Sequence, residues 1–398
     1  MIPDHRPAVR PAPEFPVRMV VLDIDGTLVG SDLQIGPRTR AAVAAALERG
    51  VHVSLATGRT PSSAVVFANQ LGLSAPLIGH QGAAIRAMPR RREAAIETSP
   101  SARGRVGRLL HHAPLSAAAI REAIVWCRAN GLDPHVNNLE RIMVWAGDPS
   151  FSDYSAYLSG DVQIVPDLVA AICAPMSKVI AVGEAGRPMA LIDEARRHFA
   201  GRADVTVSHP RFLEFVAPGV SKGRAVAWLA HEQGIAPGQV LAIGDSLNDA
   251  EMIGDAGHGA AMPTAVAAVR RAARYLAQPV ADEGPAVLIE QLVLASPAEV
   301  ARNAERLALE AADALASLEA AEAVATRRKA AGIAAAGSVA DAADVRLAGD
   351  AAHAADPSDA ADAADARDAP RAPGAPEPQD ASGAHDAAGS GVPAGVRR

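Results

Sequence analysis

The chain has 398 residues, enough for two or three domains and a substantial core. Its formal charge is −7 and its 38 Lys and Arg are dispersed rather than blocked, which argues against a nucleic-acid footprint. No run reaches the roughly 18 uninterrupted apolar residues of a membrane span, and two cysteines, Cys127 and Cys173, are too few for a disulfide framework. A cytoplasmic protein with reduced thiols is the expectation.

Residues 1–16 carry proline every few positions and no apolar segment, so a disordered lead and no secretory signal are expected. VRMVVLD (17–23) is a continuous apolar run, the pattern of a strand buried on both faces. An amphipathic helix over 38–50 ends at Gly50, a strand follows over 51–57, then a helix over 60–72 and a strand over 75–80. Residues 84–218 read differently. A hairpin near 85–97, a helix over 115–131, two strands within 133–146, a strand over 176–183, a helix over 187–200 and a hairpin over 204–217 make an α+β domain. Beyond it come a helix over 221–234, a strand over 239–245 and a helix over 247–257.

Strands alternating with single helices predict parallel βαβ units in an open, doubly wound sheet. The fold class is therefore α/β, with a discontinuous core over 17–83 and 219–295 and an inserted cap over 84–218. Composition changes at Ser296, after which no Phe, Trp or Tyr occurs. Residues 296–331 are rich in helix formers and read as a possible helix, but its apolar positions are mostly Ala, so little burial and only partial order are expected. The Ala- and Asp-rich segment 332–398 cannot bury enough apolar surface to offset chain entropy and is expected to be disordered.

Ligands of doubly wound sheets bind at the carboxyl ends of the strands, and Asp23, Thr57 and Asp245 each end a predicted strand. In Asp23-Ile24-Asp25-Gly26-Thr27-Leu28, two carboxylates two residues apart can reach one hard cation, while Gly26 permits a tight turn whose amides face a phosphate. Asp, Gly and Thr are also turn residues, so an acidic turn is the competing reading. In Gly244-Asp245-Ser246-Leu247-Asn248-Asp249, Asp245 can complete a carboxylate set and Asn248 can donate from its amide. Asp249 can order a metal-bound water or a neighbouring lysine, and Asp245 or Ser246 can equally cap a helix. Thr57-Gly58-Arg59 places a hydroxyl and a glycine where a phosphate oxygen can sit, though Thr57 also suits a plain N-cap. Lys222, opening a helix beside its positive dipole end, is awkward unless an anion is near, which makes it a better phosphate partner than Lys178, a solvated or structural charge.

Together these blocks resemble the haloacid-dehalogenase superfamily, in particular its Cof-type (subfamily IIB) phosphatases, over about 17–295. The resemblance implies a Rossmann-like core with an inserted type-2 cap and a Mg²⁺-dependent phosphatase acting on a small phosphorylated metabolite, as a monomer or homodimer. It implies Asp23 as the nucleophile forming an aspartyl-phosphate and Asp25 as general acid and base. Thr57, Gly58, Lys222 and Asn248 would hold the phosphoryl group, with Asp249 in support. Asp23, Asp245 and the Asp25 carbonyl would ligate Mg²⁺. The chain departs from the usual pattern at His80-Gln81-Gly82-Ala83, where Asn-Gly-Ala is customary, at Pro263-Thr264 and at Glu283-Gly284-Pro285-Ala286. A phosphomannomutase-like transferase would need clustered cap arginines to hold a second phosphate; Arg86, Arg90, Arg91, Arg92, Arg103 and Arg105 read instead as a solvated hairpin. Loss of Asp25 or Lys222 would favour a non-catalytic binding module, and both are present. The cap aromatics Trp126, Trp145, Phe151, Tyr154 and Tyr157 suit core or rim better than substrate stacking.

Overall fold

A computed structural model describes residues 3–89, 105–147 and 161–320. The core strands are β1 (Met19–Leu22), β2 (His52–Leu55) and β3 (Leu77–Gly79). β4 (Ala84–Arg86) follows, antiparallel to β3, and β5 (Leu109–His112) pairs antiparallel with β4. The cap contributes β6 (Asp133–Asn138), β7 (Arg141–Trp145), β8 (Asp161–Val165), β9 (Lys178–Val182), β10 (Asp204–His209) and β11 (Phe212–Val216). The chain then returns to the core in β12 (Val240–Gly244), β13 (His258–Ala261) and β14 (Tyr275–Leu276).

The core sheet has the order β14-β13-β12-β1-β2, all parallel, and a parallel bridge from Ala56 to Ile78 carries it on to β3. β1 is buried at all four positions, as its unbroken apolar run requires. From β1 the chain winds outward through β2 and β3; after the cap it resumes on the other side at β12 and winds outward again. The switch point therefore lies between β1 and β12, and the loops after those strands diverge from one crevice. Helices Pro37–Glu48, Pro61–Gln70 and Lys222–Glu232 cover the sheet. Glu283, one of the departures from the family pattern, accepts the backbone N–H groups of Arg38 and Thr39 and so caps the first of these helices rather than facing the crevice.

The cap sheet has the order β10-β11-β9-β6-β7-β8, antiparallel except for β7 and β8. Helices Ala117–Ala129 and Arg187–His198 pack on the face formed by Val136, Val179, Val207, Leu213 and Phe215. Alternation along the strands puts Asn137, Lys178, Ser208 and Glu214 on the opposite face, toward the core. Trp126 is core of the cap, packed edge-on against Phe199 and Phe215. Trp145 is exposed beneath Arg128, whereas Phe151, Tyr154 and Tyr157 lie outside the described residues.

Two expectations need correction. Residues 3–16 form no helix or strand, yet they are tied to the core rather than loose. Arg224 donates to Asp4 at 2.7 Å, Arg274 to the Pro11 carbonyl at 3.2 Å and the Glu14 N–H to the Gly238 carbonyl at 2.8 Å. Extended backbone leaves its polar groups without partners of its own, and here the core surface supplies both donors and an acceptor. The segment expected to bury little is helical over 297–320, and Val300, Ala304 and Leu307 are buried, the latter two within the main core cluster. Their i, i+4, i+7 spacing makes one apolar stripe, and small Ala304 lets the helix approach closely. The expected tail, 332–398, lies outside the described residues.

Candidate active site

The β1 loop positions the first acidic pair. After Leu22 the chain turns through Gly26, whose φ of +80° favours glycine; a Cβ there would come within 2.6 Å of an Asp245 carboxylate oxygen. Gly26 thus lets the β1 and β12 loops close on one another. Asp23 is buried, and its Oδ1 accepts from Lys222 Nζ at 2.7 Å. The same ammonium donates to Asp249 Oδ1 at 2.7 Å. Lys222 opens helix Lys222–Glu232, so its positive charge at the dipole's positive end is balanced by these two carboxylates.

Asp249 has both oxygens occupied. Its Oδ2 accepts the N–H groups of Asp245 and Ser246 at 3.1 and 3.0 Å, closing a capping box with Ser246. The capping alternative therefore belongs to Ser246, and among the described residues the Asp245 carboxylate accepts from the Thr27 and Ser246 hydroxyls, at 3.2 and 3.0 Å. Thr57 is buried and accepts the Arg59 N–H at 3.1 Å; the N-cap of the following helix is Thr60 instead. Asp25 is held by Arg59 in a bidentate pair, Nε–Oδ2 2.7 Å and Nη2–Oδ1 2.5 Å. Asn248 donates Nδ2 to Gln81 Oε1 at 2.7 Å.

Asp23, Asp25, Thr57, Gly58, Lys222 and Asn248 line a single cavity of ≈120 Å³ between core and cap. Asn137, Ser208, His209, Phe212 and Glu214 line it from the cap side. The cavity brings together every predicted catalytic and phosphate-binding residue. Asp245 and Asp249 stand behind Asp23, and one carboxylate oxygen from each of the three lies within 4.8 Å of the others.

Two buried carboxylates, Asp23 and Asp249, and the half-buried Asp245 face one ammonium here. Burial first, then the charge of Asp249, push Asp23 well above the usual carboxylate range against the pull of Lys222. The same two causes raise Asp245 to about 6. Burial alone would lower Lys222, but Asp23 and Asp249 outweigh it and hold the ammonium above its ordinary value. An excess of buried negative charge on hard oxygen donors fits a divalent cation of the Mg²⁺ type. Asp249 already accepts three hydrogen bonds, one from an ammonium, against two from hydroxyls at Asp245 and one at Asp23, so Asp23 and Asp245 keep the more acceptor capacity.

Sequence reasoning passed over Glu214 and assigned Lys178 only as a solvated or structural charge. Lys178 is not solvated: it is 1 % exposed and donates to Glu214 Oε2 at 2.5 Å and to the Gly58 carbonyl at 2.6 Å. The available signal was a lone Glu within the apolar strand FLEFV. His112 bonds Ser177 and is not among the cavity residues. Of the cap arginines, Arg86 pairs with Glu140, while Arg90, Arg91, Arg92 and Arg103 lie outside the described residues.

A parallel sheet with carboxylates at its switch point and a cap over them defines a class of hydrolases with inserted lids. A profile of the haloacid dehalogenase-like hydrolases matches residues 20–289, and the chain belongs to that family, as a Cof-type phosphatase of phosphoric monoesters. It is 30 % identical over 249 residues to the HMP-PP phosphatase of Serratia proteamaculans, covering 63 % of this chain and 85 % of that protein. It is 26 % identical over 280 residues to the 5-amino-6-(5-phospho-D-ribitylamino)uracil phosphatase YcsE of Bacillus subtilis, covering 70 % and 96 %. A solved haloacid dehalogenase-like hydrolase from Bacteroides thetaiotaomicron superposes with a TM-score of 0.56 at 27 % identity, covering 70 % of this chain and all of that one. Among the described residues no helix is long and apolar enough to cross a membrane.

Proposed function

We propose that this phosphatase hydrolyses a small phosphomonoester, such as a sugar phosphate, nucleotide or cofactor phosphate, through an aspartyl-phosphate on Asp23, with Mg²⁺ held by Asp23, Asp245 and the Asp25 carbonyl. One observation carries the reading: Asp23 sits at the floor of a capped cavity, oriented by Lys222, with Asp25, Thr57, Gly58 and Asn248 around the same space.

The chemistry follows from that arrangement. Lys222 holds Oδ1, leaving Oδ2 of Asp23 to attack phosphorus while the bond to the leaving oxygen breaks. Asp25 protonates the departing alkoxide, then takes a proton from the water that attacks the acyl-phosphate, releasing phosphate and regenerating the Asp23 carboxylate. Thr57 and Asn248 supply donors to the equatorial oxygens, and Lys222 offsets their charge. Mg²⁺, when bound, neutralises the repulsion between the carboxylate and a dianionic phosphate. The cap closes off the cavity and presents Asn137, Ser208 and Phe212 to the leaving group, limiting its size.

The similar proteins named HMP-PP phosphatase and 5-amino-6-(5-phospho-D-ribitylamino)uracil phosphatase support a small phosphorylated metabolite as substrate. A cytoplasmic monomer or homodimer is part of the proposal. A panel of phosphorylated metabolites assayed for free phosphate with Mg²⁺ tests the proposal. Release from at least one small monoester is expected; transfer of phosphate to a second sugar without net release would overturn it.

A further inference from the structure

Resting on that phosphatase reading, we infer that Gln81, Glu214 and Lys178 form a relay across the cap–core seam that aims the amide donor of Asn248 at the phosphoryl site. The links are continuous. Lys178 Nζ bonds Glu214 Oε2 at 2.5 Å, Glu214 Oε1 accepts Gln81 Nε2 at 2.7 Å, and Gln81 Oε1 accepts Asn248 Nδ2 at 2.7 Å. Lys178 also donates to the Gly58 carbonyl at 2.6 Å, and Ser208 donates its hydroxyl to Glu214.

The direction of every link is dictated from one end. An ammonium only donates and an ionised carboxylate only accepts, so Gln81 must turn Nε2 toward Glu214. Its oxygen is then left facing Asn248, which must answer with Nδ2. The second N–H of that amide remains for an acceptor in the cavity that Asn248 lines. The Asn248 Oδ1 is buried and has no hydrogen-bond partner among the described residues, so the Nδ2 bond to Gln81 is what sets this side chain's orientation.

The backbone is built around Gln81. It sits at φ +61°, a left-handed conformation unusual for a residue with a long side chain, and it is 2 % exposed. A Cβ on Gly58 would lie 2.5 Å from Gln81 Nε2, so the glycine of Thr57-Gly58-Arg59 leaves the room the glutamine needs. Lys178 and Glu214 belong to the neighbouring cap strands β9 and β11, whereas Gly58, Gln81 and Asn248 belong to core loops. The donor is therefore set only while the cap is seated, which couples phosphoryl binding to enclosure of the substrate. Gln81, Glu214 and Lys178 are positioning residues acting through Asn248.

The test uses the full chain, p-nitrophenyl phosphate and Mg²⁺, with kcat, KM and thermal midpoint measured for Gln81→Asn and Gln81→Met. Asn tolerates a positive φ better than Gln, so the first variant should fold at least as stably, yet it is one methylene too short to span both partners. Gln81→Met keeps the length and removes both bonds. In each, kcat should fall about tenfold or more while KM moves less than about threefold, as expected of a misaimed donor. Adding Glu214→Gln to Gln81→Met should cost little further, because members of one unit are not additive. Both single variants keeping kcat within about twofold of wild type, a loss confined to KM, or losses that multiply in the double variant would overturn the relay. A wild-type chain inert toward every phosphomonoester would instead bring down the phosphatase reading on which the relay rests.

Discussion

At Asp23, Asp245 and Asp249, three carboxylates crowd around Lys222, and that excess charge has measurable consequences. With Asp245 raised to about 6, a proton occupies it in mildly acidic solution and must leave before a cation can bind. The Mg²⁺ concentration for half-maximal activity should therefore rise on acidification by about tenfold per pH unit below 6, and level off above 7. Activation titrations between pH 5 and 8 would show it; a flat profile would mean that Asp245 is not a ligand. Asp25 is oriented by its bidentate pair with Arg59, and Asp25→Asn should lower kcat by about 10²-fold or more without altering the fold, as loss of general acid–base catalysis does. A rate within tenfold of wild type would assign the proton transfer elsewhere. Asp23, Asp245 and Lys222 were legible because each sits where a strand ends or a helix begins, and residue type plus position determines what it can reach. Glu214 was not, and Gln81 stood out only as a departure from the family pattern, since their mutual bond spans 133 positions and depends on which cap face meets the core.

Among the elements, most helices and the apolar core strands follow their sequence patterns, while β5, β8, β13 and β14 were missed. β13 reads His-Gly-Ala-Ala, a poor strand by propensity, yet a Cβ at Gly259 would lie 1.9 Å from the Ile253 carbonyl oxygen. Packing demands the small residues there and overrides propensity. β14 has only two residues and no periodicity to detect. The helix over 297–320 is the converse case, an Ala-rich pattern whose stripe of Val300, Ala304 and Leu307 docks where composition suggested little burial. Asn303 and Arg306 bond Gln291 from the same side. Leu307→Ala should destabilise the chain by about 2 kcal/mol, and truncation after Ser296 should lower the thermal midpoint, whereas truncation after Ala320 should leave it unchanged. Denaturant titration of the three forms decides the matter; equal stability for all of them would show that the helix contributes nothing to the core.

For the molecule as a whole, the topology does the gathering. Residues 199 positions apart, Asp23 and Lys222, meet because the core is interrupted by the cap and resumes on the other side of β1. That interruption was visible as a change from strand–helix alternation to an α+β pattern and back. The seam between the two parts was not, because it is written in single polar residues on otherwise apolar strands. The central claim remains that Asp23 is phosphorylated during turnover. Acid-quenched enzyme, caught within the first turnover of a good substrate with Mg²⁺ and examined by mass spectrometry, should carry one phosphoryl group on the peptide containing Asp23. Asp23→Asn should carry none and retain less than about one per cent of the rate. An unmodified Asp23 during rapid turnover, or full activity in Asp23→Asn, would contradict the account.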